Sequence, residues 1–206
     1  MQVSMWMHAD PYCVTAEERL DVVWKEMRAH GFRHAPVVDA AGVLAGMLSD
    51  LREHKGYLDS TNVSAAMTEP ALSVRPDDPI EVAARLLLTH RIGGLPVVDA
   101  AGKVIGIVTE TDLLRGFLDG SASEHAARID FHFSAPRQGL SDAVRTVEGA
   151  GGAVLGLGTF QSTADGSGAR RFFVRVTAPH IDPIVDAMAR DGVIVSAVHH
   201  LPASPV

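Results

Sequence analysis

With 206 residues, 47% of them hydrophobic and 21% charged, the chain has the composition of a globular protein with a real core, which excludes disordered, collagen-like and disulfide-scaffold classes. A formal charge of −7 argues against a general polyanion binder, because phosphate backbones reward dense Lys and Arg, so no nucleic-acid partner is expected. The single cysteine, Cys13, cannot form an intramolecular disulfide. The opening Met-Gln-Val-Ser-Met-Trp lacks a basic n-region and an apolar h-region, and no stretch approaches the ~20 apolar residues of a membrane span. The expectation is a soluble cytoplasmic protein with no membrane partner.

The first elements belong to a duplicated unit. Thr15-Ala-Glu-Glu18 has the form of a capping box opening a helix, and Pro36-Val37-Val38 then enters a hairpin turn at Asp39-Ala-Ala-Gly42. Sixty residues on, without a gap, Pro96-Val97-Val98 and Asp99-Ala-Ala-Gly102 repeat that run. Gly46 matches Gly106, His30 matches His90 and Val14 matches Val74 at the same offset. A register held this long indicates an internal repeat. In the second copy Asp78-Pro79-Ile80-Glu81 reads as a helix start, with Asp78 as cap. Ile80, Ala83, Ala84, Leu87 and Leu88 share one face, and Gly93-Gly94 should end the helix. Leu95–Val98 and Val104–Val108 read as paired strands, and a second helix starts at Thr109.

The last third differs. Arg128–Ala135 alternates as a strand, Gly139–Gly149 is an amphipathic helix, and Ala153–Ser162 and Arg170–Thr177 are strands around Asp165-Gly-Ser-Gly168. Ile181–Arg190 is a helix and Gly192–His199 a strand, which completes the βαββαβ order of the ferredoxin-like plan. The expected fold class is α+β: two β-α-β-β-α repeats with pseudo-two-fold symmetry at 1–60 and 61–120, a linker at 121–127, and the βαββαβ unit at 128–206. Residues 1–120 carry 11 basic and 17 acidic groups, so most of the negative charge falls on the repeats.

Leu95-Pro-Val-Val-Asp99, its Gly-containing hairpin, and Gly106-Ile-Val-Thr109-Glu-Thr-Asp112 resemble the tandem CBS domains of a Bateman module. The last third is similar to an ACT domain. A pair followed by such a domain resembles the bacterial acetoin-utilization regulators. That resemblance implies a non-catalytic regulator whose ligand is an adenine nucleotide or adenosyl compound: AMP, ADP or ATP, or else NAD(H) or S-adenosylmethionine. It further implies a homodimer and an unknown regulated protein, and it requires no cofactor.

In CBS pairs the Asp of the closing Gly-x-x-Thr-x-x-Asp takes the ribose hydroxyls and completes a pocket lined by the other repeat. The implied site is composite: Thr109 and Asp112 from the second repeat, with Tyr12, Arg33, His34 and Pro36 from the first. Elementary chemistry agrees. A carboxylate accepts from two hydroxyls at once and is favourably placed at a helix start. Arg33 suits a phosphate, His34 supplies a donor, and Tyr12 can pack on a purine. Two plainer readings stand beside these: Thr-x-x-Asp is also a capping arrangement, and Arg33-His34 is also an ordinary solvated loop. In the first repeat Arg52 occupies the ribose-carboxylate position. A guanidinium has five donors and no acceptor, so that half-site is expected to be degenerate.

The ACT resemblance implies a ligand loop at Pro136-Arg-Gln138-Gly139 with Asp142 in the next turn, although Ser134-Ala135 stands where that family commonly has an acidic residue. A sheet edge used only for dimerisation is the alternative. No metal-ligand spacing is present among the ten histidines. No nucleophile–base–oxyanion set can be assembled, even around His34 or His132, so no catalytic residues are expected. An interaction scaffold without a physiological nucleotide is the second functional reading.

Overall fold

The computed structural model describes residues 1–49, 61–119, 126–134, 139–161 and 170–201. Arg52, Gln138, most of the 121–127 linker and the Asp165–Gly168 turn lie outside them. The chain divides into two compact units, Met1–Arg115 and Gly116–Val206, in a mixed α/β fold.

In the first unit the elements are β1 (His8–Ala9), α1 (Leu20–His30), β2 (His34–Val38), β3 (Leu44–Ser49), α2 (Ile80–His90), β4 (Gly94–Val98), β5 (Val104–Thr109) and α3 (Glu110–Asp119), the last running on into the second unit. The two hairpins have identical turn chemistry. Asp39 Oδ1 accepts from the backbone N–H groups of Ala41 and Val43, both at 2.9 Å, and Asp99 Oδ1 does so for Ala101 and Lys103 at 2.8 and 2.9 Å. Gly42 and Gly102 both take φ +80°, a left-handed turn conformation open to glycine at no steric cost.

The hydrophobic cores do not follow the linear repeats. Val3 packs with Val74, Ala83, Leu87, Leu95, Val97 and Val108. Val63 packs with Val14, Leu20, Val23, Met27, Ala35, Val37 and Leu48. Each repeat's opening segment therefore completes the core of the other. Strand β1 accordingly pairs with β5 in a three-stranded sheet, order β1-β5-β4, and places His8 opposite Ile107. Thr68 bridges Met47 beside the β2–β3 pair in the same manner. This close crossing explains the repeated glycines: a Cβ on Gly106 would lie 2.7 Å from Met7 Sδ and 3.1 Å from the His8 carbonyl oxygen.

The helix ends differ from the sequence expectation at three places. Helix α2 begins at Ile80 and α1 at Leu20, because their first amides donate to carbonyls of the exchanged segments, Met1 for Ile80 at 3.1 Å and Thr61 for Leu20 at 3.0 Å. Asp78 is therefore no cap; its carboxylate instead accepts from the Arg75 N–H at 2.7 Å and closes a turn ahead of the helix. The Thr15–Glu18 pair likewise forms a turn before α1, with the Thr15 N–H donating to Glu18 Oε1 at 2.7 Å. At the other end, α2 stops at His90 with Arg91 left-handed at φ +54°, not at Gly93-Gly94. Those glycines meet a different need, the packing of His34.

The second unit contains β6 (Ala126–Phe133), α4 (Leu140–Gly149), β7 (Ala153–Gln161), β8 (Arg170–Thr177), α5 (Asp182–Arg190) and β9 (Val193–His200). The strands form one antiparallel sheet in the order β7-β8-β6-β9, the ferredoxin-like arrangement expected of a βαββαβ chain. Alternate residues of β6 and β8 (Ala127, Ile129, Phe131, Val174 and Val176) meet Ala143 and Val147 of α4 and Ile184 and Met188 of α5 in its core.

Candidate functional site

The exchange of opening segments builds a cleft from both repeats. Asp112 enters in the first turn of α3. It is 3% exposed, the one charged or polar residue among the fully buried described positions, so each of its acceptor sites has to be filled. Oδ2 accepts from the Thr109 N–H at 2.8 Å and from the Thr109 hydroxyl at 2.7 Å. Oδ1 lies 2.9 Å from His8 Nε2 and 3.8 Å from Arg115 Nη1. The helix-start contacts thus fall on one oxygen of the carboxylate and the contact to His8 on the other.

Around Asp112 opens a cavity of about 380 Å³, lined by Thr109, Thr111, Arg115 and Ile107 from the second repeat's elements and by His8–Tyr12 and Gly31–His34 from the first repeat's sequence. Five of the six residues expected at the composite site, Tyr12, Arg33, His34, Thr109 and Asp112, line it together. Pro36 does not. It is buried inside β2 opposite Met47, and its carbonyl accepts from the Val14 N–H at 3.0 Å.

The aromatic wall is larger than Tyr12 alone. Tyr12 stacks on Phe32 with centroids 5.8 Å apart, and His30 stacks on the same ring at 5.5 Å. Phe32 remains 44% exposed, so an apolar ring faces solvent at the cavity mouth. Burial, with Glu18 and Glu26 adding to it, raises the Tyr12 phenol above its ordinary value and keeps it a neutral donor.

His34 forms the partition of the site. Its Nδ1 lies 3.1 Å from Ser49 Oγ, and its ring covers Gly93 and Gly94, where added Cβ atoms would fall 2.7 Å from Nε2 and 3.1 Å from Cδ2. Beyond it lies a second cleft of about 380 Å³, lined by Met47, Ser49, Thr68, Pro70, Ala71, Leu72, His90, Ile92 and Gly94. All but His90 are positions offset by 60 from the first cleft's lining. The chemistry is not repeated, however: Leu72 and Ile92 replace Tyr12 and Phe32, and Thr68 replaces His8.

Sequence reasoning missed His8, Asp10, Phe32 and Arg115. Arg115 was findable, since it lies three residues past Asp112 on one helix face. His8 was not, because strand exchange brings it to Asp112 across 104 residues.

In the second unit Gly139 and Asp142 have a structural task. The Asp142 carboxylate accepts from the Gly139 N–H at 2.9 Å and pairs with Arg145, and these two contacts, the backbone one first, hold its pKa below the ordinary value. A groove of about 580 Å³ between α4 and α5 is lined by Asp142, Arg145, Thr146, Arg190 and Asp191. Among the described residues no group of three or more His, Cys, Asp or Glu side chains is arranged to hold a metal, and no helix is long and apolar enough to cross a membrane.

Among the described residues the two halves, β1-α1-β2-β3 and α2-β4-β5-α3, exchange their opening segments around pseudo-symmetric clefts, one of which carries a buried Asp at a helix start, and together define a paired-domain module. The CBS domain family model matches residues 3–51 and 63–119, and the chain belongs to that family. A CBS domain-containing protein of Dictyostelium discoideum is 31% identical over 127 residues, covering 54% of this chain and 88% of that protein. The structure of CBSX2 from Arabidopsis thaliana in complex with AMP aligns with TM-score 0.51 and 30% identity, over 57% of this chain and 96% of the other. A Vibrio cholerae protein assigned to acetoin utilization aligns with TM-score 0.51 and 27% identity, over 58% and 91%. The homoserine O-acetyltransferase of Methanococcoides burtonii is 34% identical over 97 residues, but this chain spans only 20% of that enzyme's length.

Proposed function

We propose that the N-terminal unit is a regulatory, non-catalytic sensor of an adenine nucleotide, bound at the cleft around Asp112. The observation that carries this reading is the convergence of a buried carboxylate, two arginines and a stacked aromatic pair on one cavity of nucleotide size. Asp112 Oδ1 receives ribose hydroxyls, Arg33 and Arg115 neutralise phosphate, and the Tyr12–Phe32 stack supports the base. Two arginines favour a phosphorylated ligand over an uncharged or cationic adenosyl compound. AMP in the CBSX2 complex is the natural first probe. Binding across the two repeats favours one relative arrangement of them, and only that differential affinity can transmit a signal.

The same proposal extends to the rest of the chain. The C-terminal βαββαβ unit acts as an ACT-like dimerisation or effector domain, the protein works as a cytoplasmic homodimer, and the whole is an acetoin-utilization type regulator. The Vibrio cholerae neighbour supports that last assignment. Thermal shift with AMP, ADP, ATP, NADH and S-adenosylmethionine tests the ligand reading. A nucleotide should stabilise wild type and Arg52→Ala but not Asp112→Ala. No stabilisation by any of them at millimolar concentration would instead favour a scaffold.

A further inference from the structure

We propose that His8 is a latch on this site: it holds Asp112 Oδ1 in the free protein, competes with the ligand for that oxygen, and thereby makes ligand affinity depend on pH. The inference rests on the nucleotide reading above and adds its regulation. Oδ2 is committed to the Thr109 amide and hydroxyl, so Oδ1 is the oxygen left for a ligand, and it is the one His8 holds at 2.9 Å. The two partners differ sharply in burial. Asp112 is 3% exposed and fixed in a helix turn, whereas the His8 side chain is 61% exposed and free to swing outward.

Among the described residues this contact is made in this cleft. At the equivalent place of the pseudo-symmetric cleft the sequence has Thr68, a residue that does not titrate. Histidine is the side chain whose charge ordinarily changes between pH 5 and 8. A protonated imidazole donates a charge-assisted hydrogen bond to a carboxylate, roughly twice as strong as a neutral one. The latch therefore tightens as pH falls and loosens as it rises. The other charged or titratable groups sharing the cavity are Asp10, Tyr12, Arg33, His34 and Arg115. His34 is present in every His8 variant, so the comparison among variants isolates the contribution of position 8.

The test is calorimetric titration of AMP into wild type, His8→Thr and His8→Gln between pH 5.5 and 8. His8→Thr copies the second cleft, and the exposed position tolerates both changes without loss of core. His8→Thr should bind AMP more tightly than wild type, by about five-fold at pH 5.5, the upper end for an ion pair with one exposed partner, with the gap closing toward pH 8. His8→Gln retains a neutral donor, so its affinity relative to His8→Thr should not vary with pH. Tighter binding by wild type than by His8→Thr, or a ratio constant across pH, would overturn the latch while leaving the nucleotide site intact. Absence of AMP binding by all three proteins at every pH would overturn the nucleotide reading itself, and the latch with it.

Discussion

Gly93 provides a sensitive probe of the partition between the two clefts. Its backbone is not in the left-handed region, so alanine is conformationally allowed there and, by restricting the unfolded chain, would stabilise by about 0.4–1 kcal/mol if space permitted. Space does not permit it. The new Cβ would fall 2.7 Å from His34 Nε2 and 3.1 Å from Cε1. If the ring holds its place the overpacking costs about 1–3 kcal/mol; if it swings away, the His34–Ser49 hydrogen bond at 3.1 Å is lost, at about 0.5–1.5 kcal/mol. Gly93→Ala should therefore be less stabilising in wild type than in a His34→Ala background, a coupling of about 0.5–3 kcal/mol. Both tryptophans, Trp6 and Trp24, lie in the first unit, so urea unfolding followed by tryptophan fluorescence reads that unit alone. An equal effect of Gly93→Ala in the two backgrounds would refute the packing argument.

Three other perturbations give distinct outcomes. Gly106→Ala sets a Cβ 2.7 Å from Met7 Sδ and 3.1 Å from the His8 carbonyl oxygen, so it should prise β1 from β5, cost about 1–3 kcal/mol and weaken AMP binding; unchanged fluorescence-detected stability would contradict this. Asp142, its pKa lowered first by the Gly139 amide and then by Arg145, contributes stability that is present above the ordinary carboxylate range and lost as pH falls through and below it. Asp142→Asn should flatten the acid limb of the far-UV circular dichroism profile while leaving the tryptophan-detected profile of the first unit unchanged, and an unaltered acid limb would contradict this. Burial raises the Cys13 thiol above its ordinary value, so at pH 7.5 the folded protein should react with a disulfide reagent much more slowly than the urea-unfolded chain, and equal rates would show an accessible thiolate.

How much of this was legible in the sequence depended on distance along the chain. The offset of 60 located both hairpins, and the resemblance to CBS domains singled out the Thr109–Asp112 turn, because that information is local: a turn Asp, a Gly at positive φ, a helix-start carboxylate. The same locality misled at the helix ends. Asp78 and Glu18 have capping patterns, but the first amides of α2 and α1 are filled by Met1 and Thr61 carbonyls from exchanged segments, which no local pattern reports. Gly93-Gly94 looked like a helix stop because glycine usually marks one, whereas its small size accommodates the His34 ring. Pro36 was assigned to the cavity by analogy and is instead buried within β2, opposite Met47. His8, the residue nearest the key carboxylate oxygen, became visible only once β1 was seen paired with the other repeat's sheet.

The most direct test of a single site shared between repeats is calorimetric titration of AMP into wild type, Asp112→Ala and Arg33→Ala. The shared site predicts one AMP per chain in wild type, loss of binding in Asp112→Ala, and at least ten-fold weaker binding in Arg33→Ala, whose side chain comes from the other repeat. Two equivalent AMP per chain, or undiminished binding in either variant, would contradict it.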